Sequence, residues 1–407
     1  MILLPPSHTL EPRLIDGIYC FPSESTQLVK LDLLFEAGSA YQPQSLCALA
    51  ANKLFYVATQ HLDSARMAEF LDYRGVIVES DSQTQQSRLT LYFLRRYADE
   101  LLPVVGSMLK EPAFGEDDFM VWRDKRRQEI AAGCQRTPTV ARRLYYETLF
   151  GEAHPLGHYA TVEDADRLDL GAVRQYYDSR YRRGPVAVVL AGAVDEALVN
   201  GVNSYIAIDN TPVERRPLAM PAQAIGCRVT SRVAGAVQAT VRMGRVLPLR
   251  WDEPDMARLM LLNMLLGGYF GSRLMGNLRE DKGYTYGIYS RIQLYRGLSV
   301  FFITTDVAGS VAEAAEKEIL KEIEGLQHIG NEELQTVKQV MAGDFLRSVD
   351  GIFELSARFC DMYDTQVSEL LTDHLREAIE KTTAAQLEEL AQRLLCPEAM
   401  NIFSVGA

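Results

Sequence analysis

The segment LREDKGYTYGIYS, residues 278–290, reads as a helix end, a glycine turn and a strand. Leu278 and Arg279 close an apolar-periodic run, Gly283 marks the turn, and alternation sets in from Tyr284. It gathers Arg279, Tyr284, Tyr286 and Tyr289 around a Glu-Asp-Lys cluster. The same grammar occurs earlier. SARMAEFLDYRGVIVES (64–80) matches GSRLMGNLREDKGYTYG (271–287) in the order helix, glycine, strand. Val29 to Val237 is 208 residues, Leu71 to Leu278 is 207, and Gly75 to Gly283 is 208. One matching site would be chance; the same order at one offset predicts a duplicated domain.

The rest of the chain follows that repeat. LVKLDLLFEAG (28–38) sets Leu31, Leu33 and Phe35 against Lys30 and Asp32, the alternation of a half-buried strand, and AVQATVRMGRV (236–246) does the same. A helix is expected after each, over 45–60 and 253–268. Further strands are expected at 88–96, 185–194 and 298–307, and further helices at 97–112, 116–133, 311–327 and 332–349. The segment DNTPVERRPLAMP (209–221) is charged and carries Pro212, Pro217 and Pro221, so it reads as a linker between domains 1–208 and 222–407. The expected class is α+β: two similar domains in a half-clamshell, each an antiparallel sheet covered by helices on one face.

Bulk properties narrow the function. The 407 residues suit two domains of about 200 each. A net charge of −12 argues against nucleic acid as a partner, because its phosphates would be repelled. Six scattered cysteines form no CxxC and read as reduced core residues. The start MILLPPSHTLEPR lacks the pattern of a signal peptide, and no window of about 18 apolar residues predicts a membrane span. A cytoplasmic protein is expected.

Four stretches together resemble the M16 (pitrilysin-like) metallopeptidase family in its short, two-domain bacterial form. They are FEAGSAYQP (35–43), LFGEAHPLGHYATVEDADRLDLGAVRQYYDSRYR (149–182), VAVVLAGAV (186–194) and LLGGYFGSRLMGNLREDKGYTYGIYS (265–290). The resemblance implies a zinc site built from His-x-x-Glu-His on the first long helix and a Glu further along. Two histidines and a carboxylate hold zinc with one position open for water, whose proton the motif Glu removes.

This chain lacks that motif. Aligned on FEAGSAYQP and on Lys53-Leu54-Phe55, with three residues missing between, its five positions fall on Ala48, Leu49, Ala50, Ala51 and Asn52. Alanine has no donor atom, and an Asn amide is a poor zinc ligand. Glu129, 77 residues past Asn52, matches the third ligand, but one carboxylate cannot hold zinc, and an exposed helix residue paired with Lys125 or Arg126 explains it equally. His154 and His158 are separated by Pro155 and Gly157, which break a helix, so a structural loop is expected there. No G-x-S-x-G elbow occurs, and the glycines of GGYFGS (267–272) follow a helix rather than a strand, unlike a dinucleotide loop.

The resemblance gives the opening segment a role. In that family an Arg and a Tyr seven residues apart reach across the clamshell to a zinc site held by the other half. Arg279 and Tyr286 have that spacing. A guanidinium and a phenol can anchor a peptide backbone and stabilise its oxyanion. Ordinary roles also fit: Arg279 paired with Glu280 or Asp281, and Tyr286 packed on its sheet. The resemblance implies a subunit with no cofactor of its own, inactive alone, whose zinc-bearing M16 partner hydrolyses unfolded peptides in a heterodimer. The alternative is a catalytically inactive homodimer that binds peptides or serves as a scaffold.

Overall fold

The computed structural model describes residues 4–6, 9–208, 215–222, 225–367 and 370–406. Residues 209–214 of the expected linker lie outside the described residues. The first half contributes strands β1 (Arg13–Ile15), β2 (Ile18–Pro22), β3 (Leu28–Phe35), β4 (Ile77–Ser82), β5 (Ser87–Leu94) and β6 (Ala187–Gly192). Its helices are α1 (Cys47–Leu54), α2 (Ser64–Tyr73), α3 (Ala98–Lys110), α4 (Glu116–Gly133), α5 (Thr137–Phe150), α6 (Val162–Arg167), α7 (Leu170–Arg180) and α8 (Glu196–Tyr205). The second half contributes β7 (Arg228–Arg232), β8 (Gln238–Leu247), β9 (Ile288–Tyr295), β10 (Leu298–Ala308) and β11 (Asn401–Gly406). With them are α9 (Pro254–Asn263), α10 (Ala312–Gly325), α11 (Asn331–Arg347), α12 (Ile352–Thr365), α13 (Leu370–Lys381) and α14 (Ala384–Leu394).

The fold is α+β with two antiparallel-dominated sheets, ordered β1-β2-β6-β3-β5-β4 and β7-β11-β8-β10-β9. Set β1 aside and the orders superpose strand for strand: β2 on β7, β6 on β11, β3 on β8, β5 on β10, β4 on β9. Each sheet also contains one parallel pairing, β2 with β6 and β7 with β11. The repeat read from residue offsets is thus repeated in topology. Among the described residues, no helix is long and apolar enough to cross a membrane.

One expectation is corrected: both faces of each sheet are covered. On the first sheet Val29, Leu31, Leu33 and Phe35 of β3 pack with Leu101, Leu102 and Val105 of α3. The opposite face, where Lys30 and Asp32 were expected to be wet, is sealed by α12 from the other half. Lys30 and Asp32 are 3% and 1% exposed, pair at 3.0 Å, and Lys30 donates to Ser356 of α12 at 3.1 Å. Phe359 of α12 stacks near Tyr19 and Phe21 at 4.8 and 5.8 Å. The exchange is mutual. Helix α5 lies on the second sheet, with Tyr145 and Leu149 packed against Val246, Val300 and Phe403. Tyr145 also donates to the Phe301 carbonyl at 2.7 Å. Glycines permit both approaches: a Cβ at Gly244 would sit 2.6 Å from the Tyr145 hydroxyl, and one at Gly192 would sit 3.2 Å from the Phe353 ring.

A buried polar seam locks the two sheets together. Arg296, in the β9–β10 turn, is paired with Glu36 at the end of β3, and their side chains are 2% and 5% exposed. Arg296 also donates to the Asp364 carbonyl at 2.7 Å and to Gln86 Oε1 at 3.1 Å. Tyr41 donates to Glu36 at 2.7 Å, and Arg88 binds Asp361 and Asp364 of α12 at 2.8 and 2.7 Å. Burial pushes the Asp364 carboxyl up to about 6, against the pull of Arg88. Removing one partner of such a pair strands the other in a dry site. Arg296→Ala should therefore lower stability by about 3–5 kcal/mol in urea unfolding; a loss below about 1 kcal/mol would show that solvent reaches the seam.

Candidate functional site

Helix α1 carries the positions where zinc ligands would stand. It ends at Leu54, six residues short of the expected run, and its entry is unusual: Leu46, a non-glycine, takes the left-handed conformation at φ 72°. Gln42 Oε1 accepts the Ala48 N–H at 3.2 Å. Ala48, Ala51 and Asn52 are completely buried in the first core. The Tyr181 hydroxyl lies beside Asn52 and Ser87, yet neither amide atom of Asn52 nor that hydroxyl meets a partner at hydrogen-bond geometry. Burial raises the Tyr181 phenol, which stays neutral.

The donor set does not fit zinc. Ala48 and Ala51 offer nothing, Asn52 faces a phenol in the core, and Glu129 is exposed on α4 and paired with Arg126 at 3.2 Å. Among the described residues, no group of three His, Cys, Asp or Glu side chains is placed to hold a metal ion. Lys53, which the sequence reading used only as an alignment anchor, has a definite task. Its Nζ donates to the carbonyl and hydroxyl of Ser80 at 2.5 and 2.8 Å, tying α1 to β4, the outer strand of the first sheet. The second half shows a counterpart: Asn263 and Ser290 tie α9 to the outer strand β9 at 3.2 Å.

On the second half Arg279 sits in a wider helical turn, and Tyr286 in the bend between that turn and β9. Met264–Gly268 and Met275–Asp281 wind as π turns. In the first half Gly75, at φ 62°, ends α2 conventionally, with the Val76 N–H bonded to the Leu71 carbonyl five residues back. In the second, Gly283 has the same φ of 62°, but the Tyr284 N–H reaches six residues back to Leu278. One extra residue has entered the turn. That residue is the slip from offset 207 to 208, and it falls beside Arg279; π turns of this kind recur at functional sites.

Both side chains face outward. Tyr286 is 94% exposed. Arg279 lies over the Phe270 ring at 4.8 Å and approaches Glu280 at 3.7 Å. No hydrogen bond joins Arg279 to Tyr286, so the structure places them on one segment without bringing them together. Phe270 is 66% exposed; the sequence placed it within the 265–290 signature and gave it no role of its own. The histidine loop is structural, as its Pro and Gly implied. His154 accepts the Leu156 N–H at 3.1 Å through Nδ1, contacts the Ala219 carbonyl at 3.1 Å through Nε2, and is held neutral by burial.

Comparison with known proteins places this geometry. Residues 167–341 match the family described as peptidase M16 inactive domain. The non-peptidase homolog YmxG of Helicobacter pylori is 25% identical over 272 residues, 64% of this chain and 61% of that relative's own length. An uncharacterized zinc protease YmxG of Bacillus subtilis is 22% identical over 301 residues, 73% of each chain. A crystal structure from Pseudomonas fluorescens, described as a peptidase M16 inactive domain, has the same fold, with a TM-score of 0.85 at 21% identity over 96% of both chains. Over residues 167–341 the chain is thus similar to the M16 inactive-domain family, and over nearly its whole length it shares the fold of the Pseudomonas fluorescens M16 protein.

If Asn52 is a remnant and not a ligand, removing its orphaned amide should help the fold. Asn52→Leu is expected to raise stability by about 1–2 kcal/mol in thermal or urea unfolding. A loss of stability would mean that the amide is satisfied in solution.

Proposed function

We propose that this chain is the zinc-free subunit of a heterodimeric M16-type metallopeptidase. Its two domains, 1–208 and 222–407, form one wall of a chamber that a zinc-bearing partner closes around an unfolded peptide. Arg279 and Tyr286 contact the substrate backbone and its oxyanion in the partner's site. The chamber selects extended peptides by enclosure, and the cytoplasm is where it works.

The observation that carries this is an asymmetry between the halves. On α1 the positions aligned with the ligands are alanine and a buried amide. On the second half Tyr286 and Phe270 are exposed, and the partly exposed Arg279, in the widened turn Met275–Asp281, lies over the Phe270 ring. An exposed phenol, and a guanidinium lying over an exposed aromatic ring, give the fold nothing that smaller polar residues would not. They do suit a surface waiting for a second molecule.

The test is hydrolysis of a quenched fluorescent peptide by this chain, by a zinc-bearing M16 homologue from the same genome, and by the mixture. Cleavage should appear in the mixture well above either component, and should fall about 100-fold or more with Arg279→Ala or Tyr286→Phe in this chain. Chelator-sensitive cleavage by this chain alone would contradict the proposal. Peptide binding without cleavage in the mixture would favour the scaffold homodimer.

A further inference from the structure

We propose that the cleft between α5, the 151–160 loop and the 39–49 segment binds an amphipathic carboxylate, its anionic head held by Arg142 and Arg126. The cleft encloses about 550 Å³, within the range of small-ligand sites. Its walls come from separate parts of the chain: Leu49 of α1, Thr84 after the outer strand, Arg126 of α4, Arg142 of α5 and Tyr295 of β9.

The chemistry of the lining is donor-rich. In a chain of net charge −12, the cleft holds two guanidinium groups and one carboxylate, that of the exposed Glu152. Arg142 is bonded to the Tyr159 hydroxyl, and Tyr146 and Tyr295 lie close by. Among the described residues no carboxylate lies within ion-pair distance of it; burial works against its charge, and the Tyr159 hydroxyl, accepting its hydrogen bond, supports it. Burial raises the phenols of Tyr159 and Tyr295, so they remain neutral O–H groups able to donate. Arg126 gives one nitrogen to Glu129, while its Nε is buried with no partner. His154 belongs to the wall, because both ring nitrogens are engaged. An accessible guanidinium ringed by phenolic donors, with no resident anion, is a vacant half of an ion pair.

A second cavity of about 760 Å³ shares Arg126, Arg142, Tyr159 and Ala160 with the first. It is walled by Ile130, Val140 and Leu144. The shared arginines stand where the polar basin meets the apolar annex. That arrangement fits a ligand with a carboxylate at one end and an apolar body at the other: a free aliphatic acid, or the C-terminal end of an apolar peptide. The site is separate from Arg279 and Tyr286 and does not depend on the subunit proposal.

Calorimetric titration of the full chain at low salt tests it, with octanoate, N-acetyl-Ala-Leu-Phe, and the same tripeptide as its C-terminal amide. At least one of the two acids should bind, and which one identifies the source. The amide should bind at least tenfold more weakly than the peptide acid if that acid is the ligand. Arg142→Gln should weaken binding at least tenfold with an unchanged melting temperature, and Arg250→Ala, at an exposed arginine outside the cleft, should leave it unaltered. If Arg142→Gln fails to fold, Arg126→Gln serves the same comparison. Absence of heat from both acids at millimolar concentration would overturn the proposal. So would equal binding of amide and acid, or undiminished binding by a folded arginine variant.

Discussion

A guanidinium sealed between two sheets sets the geometry of this molecule. Arg296 leaves the β9–β10 turn of the second sheet and ends against Glu36 of the first, with the Asp364 carbonyl and Gln86 each accepting from one of its other two nitrogens. Burying two charges costs several kcal/mol per ion, and only full partnering offsets it. The pair therefore tolerates one relative placement of the halves and penalises others. Helices α5 and α12 act in the same direction through apolar contact, each lying on the sheet that belongs to the opposite half. Neither half can shed its partner without exposing a sheet face that carries buried charge, Lys30 and Asp32 on one side and Arg242 on the other.

Much of this was legible in the residues, and what was missed was long-range. Local periodicity placed α4 at 116–133 to the residue, because Glu116, Asp117 and Asp118 mark its start and its exposed face is continuous. The offset of 208 anticipated the repeated topology. The same alternation misled at Lys30 and Asp32: a polar side chain on alternate positions reads as a wet face, and only the packing of α12 makes it dry. Parallel pairing of β2 with β6 joins strands far apart in the chain, and no local pattern encodes it. The helix over 45–60 was drawn too long because its apolar residues continue past Leu54 into a turn. At the candidate site, the alanines at 48 and 51 were readable as a loss, whereas the tie from Lys53 to Ser80 and the projection of Phe270 required three dimensions.

The two halves have diverged around a shared plan. Gly75 and Gly283 end equivalent helices with the same φ, but one turn is of ordinary width and the other admits an additional residue beside Arg279. In the first half, Ala48 and Ala51 are packed in the core, and the Lys53 ammonium binds Ser80 of the outer strand. A fold that duplicates a domain can let one copy become structural while the other keeps groups aimed at solvent.

The most direct measurement is zinc content at equilibrium. The purified chain should be dialysed against micromolar zinc, separated from free metal, and assayed by mass spectrometry beside its Asn52→Ala variant. The expected result is far less than one zinc per chain, identical in both proteins. One tightly held zinc per chain, lost on substitution of Asn52 or Glu129, would contradict the claim that this donor set does not fit zinc.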